Sequence, residues 1–340
     1  MEIAMSEQHR ILVGDCIEMM RTLPDESVHT CVTSPPYFGL RDYGVDGQLG
    51  LEASPLEFIA QLVEVFREVR RVLRPDGTVW VNMGDSYAGS WGAQGRPQGN
   101  GQMAGRSVVS ARQINNHPSF ETKTGVRGRE MGLKPKDLMG IPWRLAFALQ
   151  DDGWYLRQDI IWQKPNPMPE SIRDRCTRSH EYLFLLSKQR HYYFDQAAIA
   201  EKALEPHGPG NIAPAESLPG ERATQNSNLR GSLHKVGPRV QRNKRSVWKV
   251  STQRFKGAHF ATFPPELIRP CILASAPRGG VVLDPFGGAG TTSLVSMQEG
   301  RRSVICELNP EYAALARSRI DAAWLDGAAQ MDVFHDSPAA

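Results

Sequence analysis

Two short stretches hold residue types able to do chemistry on a flat, polar ligand. The first is Val32-Thr33-Ser34-Pro35-Pro36-Tyr37. Val28 to Thr33 read as a strand, which two consecutive prolines end rigidly. Neither proline has an N–H, so the carbonyls of Ser34 and Pro35 are left open to accept from a ligand. Tyr37 adds an aromatic face. Two acceptors beside a flat ring suit an amino group on a planar heterocycle, although taken alone the four residues also read as a rigid loop with a packed tyrosine. The second stretch is an apolar run from Val281 that ends in Asp284, then Phe286, Gly287, Gly288 and Gly290, then Thr291 and Thr292. A strand hands over to a helix in this way beside a nucleotide-like ligand, and the glycines let the backbone turn sharply and approach that ligand. Ser303 to Glu307 read as a second strand ending in an acid, suitably placed to accept from ribose hydroxyls. The dinucleotide fingerprint G-x-G-x-x-G is absent, which favours a ligand without phosphate, such as S-adenosyl-L-methionine.

Together the two stretches resemble the amino-methyltransferases of DNA, in the permuted (beta-class) group where the catalytic tetrapeptide precedes the cofactor loop. Ser34, Pro35, Pro36 and Tyr37 match the family's [D/N/S]-P-P-[Y/F/W] motif, and Asp284 to Thr292 match D-P-F-x-G-x-G-T-T. Gly14-Asp15-Cys16 resembles a further cofactor segment, and Glu307-Leu308-Asn309-Pro310-Glu311-Tyr312 resembles the ribose-binding one. His259 to Leu267, centred on Phe263-Pro264, is similar to the segment that packs on the methionine end. The resemblance implies an α/β, Rossmann-like S-adenosylmethionine-dependent methyltransferase fold, circularly permuted, with a seven-stranded sheet and an inserted target-recognition region. It implies catalysis by Ser34 to Tyr37, and cofactor binding by Asp15, Cys16, Phe263, Pro264, Asp284, Phe286, Gly288, Gly290, Thr291, Thr292, Glu307 and Asn309. Asp284 is expected to hold the glycine loop, Glu307 to meet the ribose and Asp15 the adenine amino group. In isolation Asp15 reads equally well as a helix cap.

An exocyclic amino group is a poor nucleophile because its lone pair is delocalised into the ring. Acceptors at Ser34 and Pro35 would draw the nitrogen towards tetrahedral geometry, so catalysis is mostly positioning and electrostatics. The base must leave the duplex to be reached, and Tyr37 is the residue to stack on it, with Phe38 and Trp162 as second candidates. Attack at a ring carbon would need an activated cysteine. The one Pro-Cys pair, Pro270-Cys271, lies in an apolar stretch that reads as helix core, and Pro270 there predicts a kink or a late helix start. In this family a serine at position 34 accompanies N4-cytosine methylation, whereas aspartate or asparagine accompanies N6-adenine. N4-cytosine is therefore the expectation and N6-adenine the alternative. A protein-glutamine methyltransferase would also use P-P-Y, but with the cofactor loop first.

Several elements must position these residues. Arg10 to Gly14 read as a strand and Ile17 to Leu23 as a helix. Ser54-Pro55-Leu56-Glu57 supply a cap, a proline at the first helical position and a capping-box acid. Ile59, Leu62, Val63, Phe66, Val69 and Leu73 recur at helical spacing. Pro75-Asp76-Gly77 should stop that helix, and Thr78 to Met83 should follow as a buried strand. Ile141 to Gln150 read as helix, and Trp154 to Trp162 and Glu181 to Ser187 as strands, the latter paired with Tyr192 to Asp195. Strand–helix–strand recurrence argues for a parallel sheet covered on both faces.

The expected organisation is a catalytic half at 10–88, a flexible loop at 89–130 and a continuation at 131–195. A target-recognition region at 196–247, a cofactor-binding half at 248–325 and a disordered tail at 326–340 complete it. The 89–130 segment, rich in Gly, Gln, Asn, Ser and Arg, reads as a lid or as a solvated insertion. Arg222, Arg230, Lys235, Arg239, Arg242, Lys244 and Arg245 make the later segment basic, as befits DNA binding or a solvated linker.

The formal charge of the 340-residue chain is only +3 and its pI about 8.6, so any DNA surface must arise from local clustering. Five scattered cysteines without a C-x-x-C pair suit neither zinc nor disulfides, and fit a reducing cytoplasm. No signal peptide or membrane span is expected. Double-stranded DNA is the expected partner, with a cognate restriction endonuclease and a second copy of the chain as further candidates.

Overall fold

The computed structural model describes residues 8–39, 45–88, 131–202, 241–252 and 263–335. The chain divides into two compact units, Met1–Phe194 with Ser246–Ala340, and Asp195–Arg245. The first unit is built on one sheet. Its strands are β1 (His9–Val13), β2 (Val28–Thr33), β3 (Leu73–Met83), β4 (Tyr155–Gln163), β5 (His180–Ser187), β8 (Val247–Lys249), β9 (Val281–Asp284) and β10 (Arg302–Glu307). They lie in the order β1-β10-β9-β2-β3-β5-β4-β8. Every pairing is parallel except the two made by β5. Among the described residues the sheet thus has eight strands where the family resemblance implies seven, because Val247–Lys249 adds itself alongside β4. The second unit contains a two-stranded pair, β6 (Glu201–Lys202) with β7 (Gln241–Arg242).

Helices cover both faces. On one side lie α1 (Cys16–Arg21), α2 (Pro55–Val72) and α3 (Ile141–Asp151), which share a core cluster with the side chains of Val79, Val81, Met83, Leu283 and Cys306. On the other lie α4 (Pro265–Ser275), α5 (Thr291–Gln298) and α6 (Pro310–His335). The alternation along a strand produces this division: Val79 and Val81 face α2, while Trp80 between them donates from its indole to Ser275 Oγ on α4 at 2.8 Å. Ser54 caps α2, accepting from the Glu57 N–H at 3.1 Å with Pro55 at the first position. Arg71 in its last turn donates to the carbonyls of Met20 and Leu23 that end α1.

Four local expectations need correction. Pro75-Asp76-Gly77 does not separate helix from strand: β3 begins at Leu73, and these residues are an irregularity within it. The register jumps there from Val28↔Leu73 to Thr30↔Thr78. A Cβ on Gly77 would come within 3.1 Å of the carbonyl oxygens of both Arg74 and His29, so the glycine lets the bulge close. Tyr192 to Asp195 do not pair with β5, whose two edges are already occupied by β3 and β4. Instead the Tyr193 N–H caps the bulge at Asp76 O. Pro270 neither delays nor ends its helix, which starts at Pro265 and runs through it. Finally, α6 continues to His335, well into the segment expected as a disordered tail.

His9 at the sheet edge is 1 % exposed and shares a hydrogen bond of 2.9 Å with Ser303 Oγ, which in turn meets Ser293 Oγ. Burial lowers its pKa from 6.5 to about 4. Between those values the unfolded chain takes up a proton that the folded chain refuses, so stability is fully present above pH 6.5 and falls as pH drops towards 4. The loss should reach about 3 kcal/mol. Urea unfolding at pH 7 and pH 4.5 measures it, and His9→Gln should flatten the dependence; an unchanged slope in that variant would count against this assignment.

Candidate active site

The carboxyl ends of β1, β10, β9 and β2 lie side by side, and the two chemically suggestive stretches meet there. Asp284 ends β9. Its carboxylate accepts from Thr33 Oγ1 at 2.7 Å, from Thr292 Oγ1 at 2.6 Å and from the Phe286 N–H at 3.0 Å. Thr33 is the residue before Ser34, and Thr292 is in the first turn of α5. One buried acid therefore ties the glycine loop, the helix after it and the tetrapeptide together. Burial raises its pKa, and the three hydrogen bonds oppose the rise.

On the neighbouring strand, Glu307 ends β10 and acts in the same way. It accepts from the Gly288 N–H at 2.7 Å and the Asn309 N–H at 2.9 Å. Its pKa is raised, chiefly by burial. Its own carbonyl receives the Gly14 N–H at 3.0 Å, which joins β1's end to the group. Asp15 accepts from the N–H groups of Ile17 and Glu18 and caps α1, and Asn309 accepts from Glu311 as α6 begins. Cys16 is buried, its thiol pushed up to about 12 by burial and by Asp15.

The glycines differ in what they make room for. Gly288 has φ +50 and offers its N–H to Glu307. A Cβ on Gly287 would lie 2.7 Å from Ile305 Cβ, and one on Gly290, at φ +76, would lie 2.9 Å from Ala316 Cβ. Those two positions serve packing of the loop against β10 and α6. Arg319 on α6 reinforces the loop by donating to the Ala289 carbonyl and to Thr291 Oγ1; nothing in the local sequence marks it. Phe286 packs partly buried against the core. Phe263 and Pro264 open α4, where the Pro264 carbonyl accepts from Leu267; the rest of the 253–262 segment lies outside the described residues.

Pro35 is buried, while Ser34, Pro36 and Tyr37 are half-buried. The Tyr37 hydroxyl donates to Glu181 Oε2 at 2.8 Å. Its pKa is driven well up, first by burial and then by that carboxylate. Glu181 is the second residue of β5 and also pairs with Lys164, whose ammonium sits 4.3 Å from the centre of the Trp162 ring. Asn82 Nδ2 reaches the same carboxylate at 3.4 Å. Motif reasoning misses both Glu181 and Lys164; the signal for the first is a charged residue opening the apolar run Tyr182 to Leu186. Phe38 and Trp162, the second stacking candidates, belong to the core. Phe38 packs on Phe58 at 5.5 Å between ring centres, and the Trp162 indole donates to Val250 O at 2.8 Å.

The basic residues separate likewise. Arg222, Arg230, Lys235 and Arg239 lie outside the described residues, as does the 89–130 segment. Arg242, Lys244 and Arg245 surround Glu201 within the second unit, at 3.4, 3.8 and 3.3 Å. Among the described residues there is no cluster suited to a metal ion, and no helix is long and apolar enough to cross a membrane.

Residues 28–318 match the DNA methylase family model of the N6/N4 methyltransferases. The chain belongs to that family. It is 48% identical over 308 residues to the Type II methyltransferase M.Cfr9I of Citrobacter freundii, covering 90% of this chain and 86% of that one. It is 45% identical over 311 residues to the Type II methyltransferase M.SmaI of Serratia marcescens, covering 92% and 90%. In fold it is similar to the PvuII DNA methyltransferase (cytosine-N4-specific), with a TM-score of 0.57 at 18% identity over 93% of this chain and 91% of that one. A putative DNA modification methylase from Thermus thermophilus, solved with S-adenosyl-L-methionine, aligns with a TM-score of 0.53 at 23% identity, covering 93% and 95%. The chain is thus a Type II DNA methyltransferase of the N6/N4 class, and S-adenosyl-L-methionine is its cofactor. The donor set fits that molecule: carboxylates and backbone groups converge at the ends of β1, β9 and β10, as a positively charged, hydroxyl-bearing ligand without phosphate requires.

Gly290→Ala should lower stability by about 1–3 kcal/mol, from the crowded Cβ and the left-handed backbone. Thermal unfolding measures this. An unaltered midpoint would show that the loop has room to spare.

Proposed function

We propose that the chain transfers a methyl group from S-adenosyl-L-methionine to the exocyclic N4 amino group of a cytosine flipped out of duplex DNA. The observation that carries this reading is the Asp284 tie, which holds the glycine loop and the Ser34–Tyr37 tetrapeptide at neighbouring strand ends. When bound, the cofactor supplies an electrophilic methyl group on a sulfonium. Ser34 and the Pro35 carbonyl accept from the amino hydrogens of the target and localise its lone pair. Tyr37 lies against the face of the flipped base. Glu307 accepts from the ribose hydroxyls, Asp15 from the adenine amino group, and Asp284 holds the loop that meets the methionine end. Phe263, Pro264, Phe286, Gly288 and Asn309 complete the cofactor's surroundings.

Serine at position 34 supports cytosine over adenine, and the specificity carried in the PvuII enzyme's name points the same way. The 196–247 segment, basic and set between the tetrapeptide and the cofactor loop, is the natural reader of the target sequence. A cognate restriction endonuclease accompanies the enzyme in this reading, as the Type II relatives imply.

Incubating the enzyme with tritiated cofactor and defined duplexes, followed by nucleoside mass spectrometry, should yield N4-methylcytosine. N6-methyladenine would establish the alternative base. Glu307→Gln should weaken cofactor affinity by about tenfold in calorimetry, since charge-assisted hydrogen bonds are about twice as strong as neutral ones; equal affinity removes Glu307 from the ribose. Replacing Arg239, Arg242, Lys244 and Arg245 together by Ser should flatten the salt dependence of duplex binding, because each lost phosphate contact removes roughly one released counterion from the slope. An unchanged slope at unchanged affinity would make the segment a linker.

A further inference from the structure

The tetrapeptide's serine has a chemical ambiguity that an aspartate would not. A carboxylate only accepts, whereas a hydroxyl both donates and accepts, and a serine whose proton points at the target amino group would oppose the hydrogen bond it is meant to receive. The surroundings of Tyr37 resolve this. Its hydroxyl donates to Glu181 Oε2 at 2.8 Å, and the same carboxylate is held from its other side by Lys164 and is reached by Asn82. Donation towards the phenolic oxygen by the Ser34 hydroxyl and the Gly84 N–H opposes the rise in the Tyr37 pKa. Gly84 is itself required for this closeness, because a Cβ there would lie 2.9 Å from Tyr37 Cε2 and 3.2 Å from Glu181 Cδ. Glu181 and Lys164 are 15% and 18% exposed in their side chains, so the pair is largely shielded from water, which would otherwise blur the direction of these bonds.

We propose that Glu181 is a positioning residue of methyl transfer that acts through Tyr37. As an acceptor-only carboxylate it compels the Tyr37 hydroxyl to donate to it. The phenolic lone pairs are left to receive the Ser34 proton, and the Ser34 oxygen turns its own lone pairs towards the amino group to be methylated. The ring of Tyr37 is held in one plane by the same bond. Lys164 holds the carboxylate from its other side. This rests on the reading of Ser34 and Tyr37 given above, and it adds what makes a serine serve there as an acceptor.

Glu181→Gln is the informative change, because a carboxamide of the same shape can offer Tyr37 either a donor or an acceptor and so leaves the direction of the chain undetermined. Steady-state kinetics on a duplex substrate should be run for wild type, Glu181→Gln, Tyr37→Phe, the double variant and Tyr37→Ala, with cofactor affinity by calorimetry. Glu181→Gln and Tyr37→Phe should each lower kcat by about tenfold, with KM for DNA and the cofactor Kd within about twofold of wild type. The double variant should be no slower than the slower single one, because both changes break the same chain. Wild-type kcat in Glu181→Gln, or losses that multiply to about a hundredfold in the double variant, would overturn the proposal. If Glu181→Gln fails to fold, Tyr37→Phe decides alone: full kcat without the hydroxyl overturns the chain, and a tenfold loss at unchanged KM supports it. Tyr37→Ala separates the two levels. Full activity there overturns the placement of Tyr37 at the target base, whereas lost activity there with full activity in Glu181→Gln overturns only the role of Glu181.

Discussion

A carboxylate with no route to water organises this molecule. Asp284 is 1 % exposed, a position that would cost several kcal/mol for an ionised group without partners. Two threonine hydroxyls and one backbone N–H, all within 3.0 Å, make it tolerable. Each of those donors comes from a different region of the chain: the end of β2, the turn after β9 and the first turn of α5. Because the acid is held from three sides, none of the three segments can shift without leaving a buried charge short of a donor. The separation between the glycine loop and the tetrapeptide is thereby set by a buried hydrogen-bond cluster. Glu307 repeats the device at the next strand, where its carboxylate orients the Gly288 N–H and the turn into α6.

The reversed strand β5 supplies the other half of the site. In an all-parallel sheet the residues next to the end of β3 would be another carboxyl terminus. Since β5 runs antiparallel to both neighbours, its first residues stand there instead. Glu181 thus arrives beside Tyr37, and Lys164, just beyond the end of β4, arrives beside Glu181. Asp85 secures the same region from below: nearly inaccessible in its side chain, it accepts from the N–H groups of Ser86, Gly140 and Ile141, and Arg178 lies 3.8 Å away. Burial raises its pKa while those donors oppose the rise. Ala88, the residue before the 89–130 segment, exchanges backbone hydrogen bonds with Lys136 and Asp137.

Much of this architecture is legible in the amino-acid sequence. Hydrophobic period and turn chemistry locate β1, β2, β9, β10, α2 and α3 to within a residue or two, because the apolar spacing, the Ser54 cap and the glycine turns are local causes with local effects. Local signals mislead where tertiary pairing overrides them. Pro75-Asp76-Gly77 is strong turn chemistry, yet the pull of β2 on both sides draws it into a strand as a bulge. Pro270 breaks helices in isolation, but the burial of Leu267, Ile268, Cys271 and Ile272 around it outweighs one missing hydrogen bond.

The sequence by itself determined the family, the cofactor and the identity of the tetrapeptide, since those are written in contiguous residues whose spacing is the motif. Only the tertiary structure decided which of the glycines make room for protein and which face the loop's own acid, that Phe38 and Trp162 are core, and that Glu181, Lys164 and Arg319 attend the site. The reason is one of range. A motif is a covalent neighbourhood, but partners that orient it lie far off in sequence, 144 residues away in Glu181 at Tyr37 and 251 in Asp284 at Thr33. Those partners are chosen by strand order and direction, which no stretch of contiguous residues encodes.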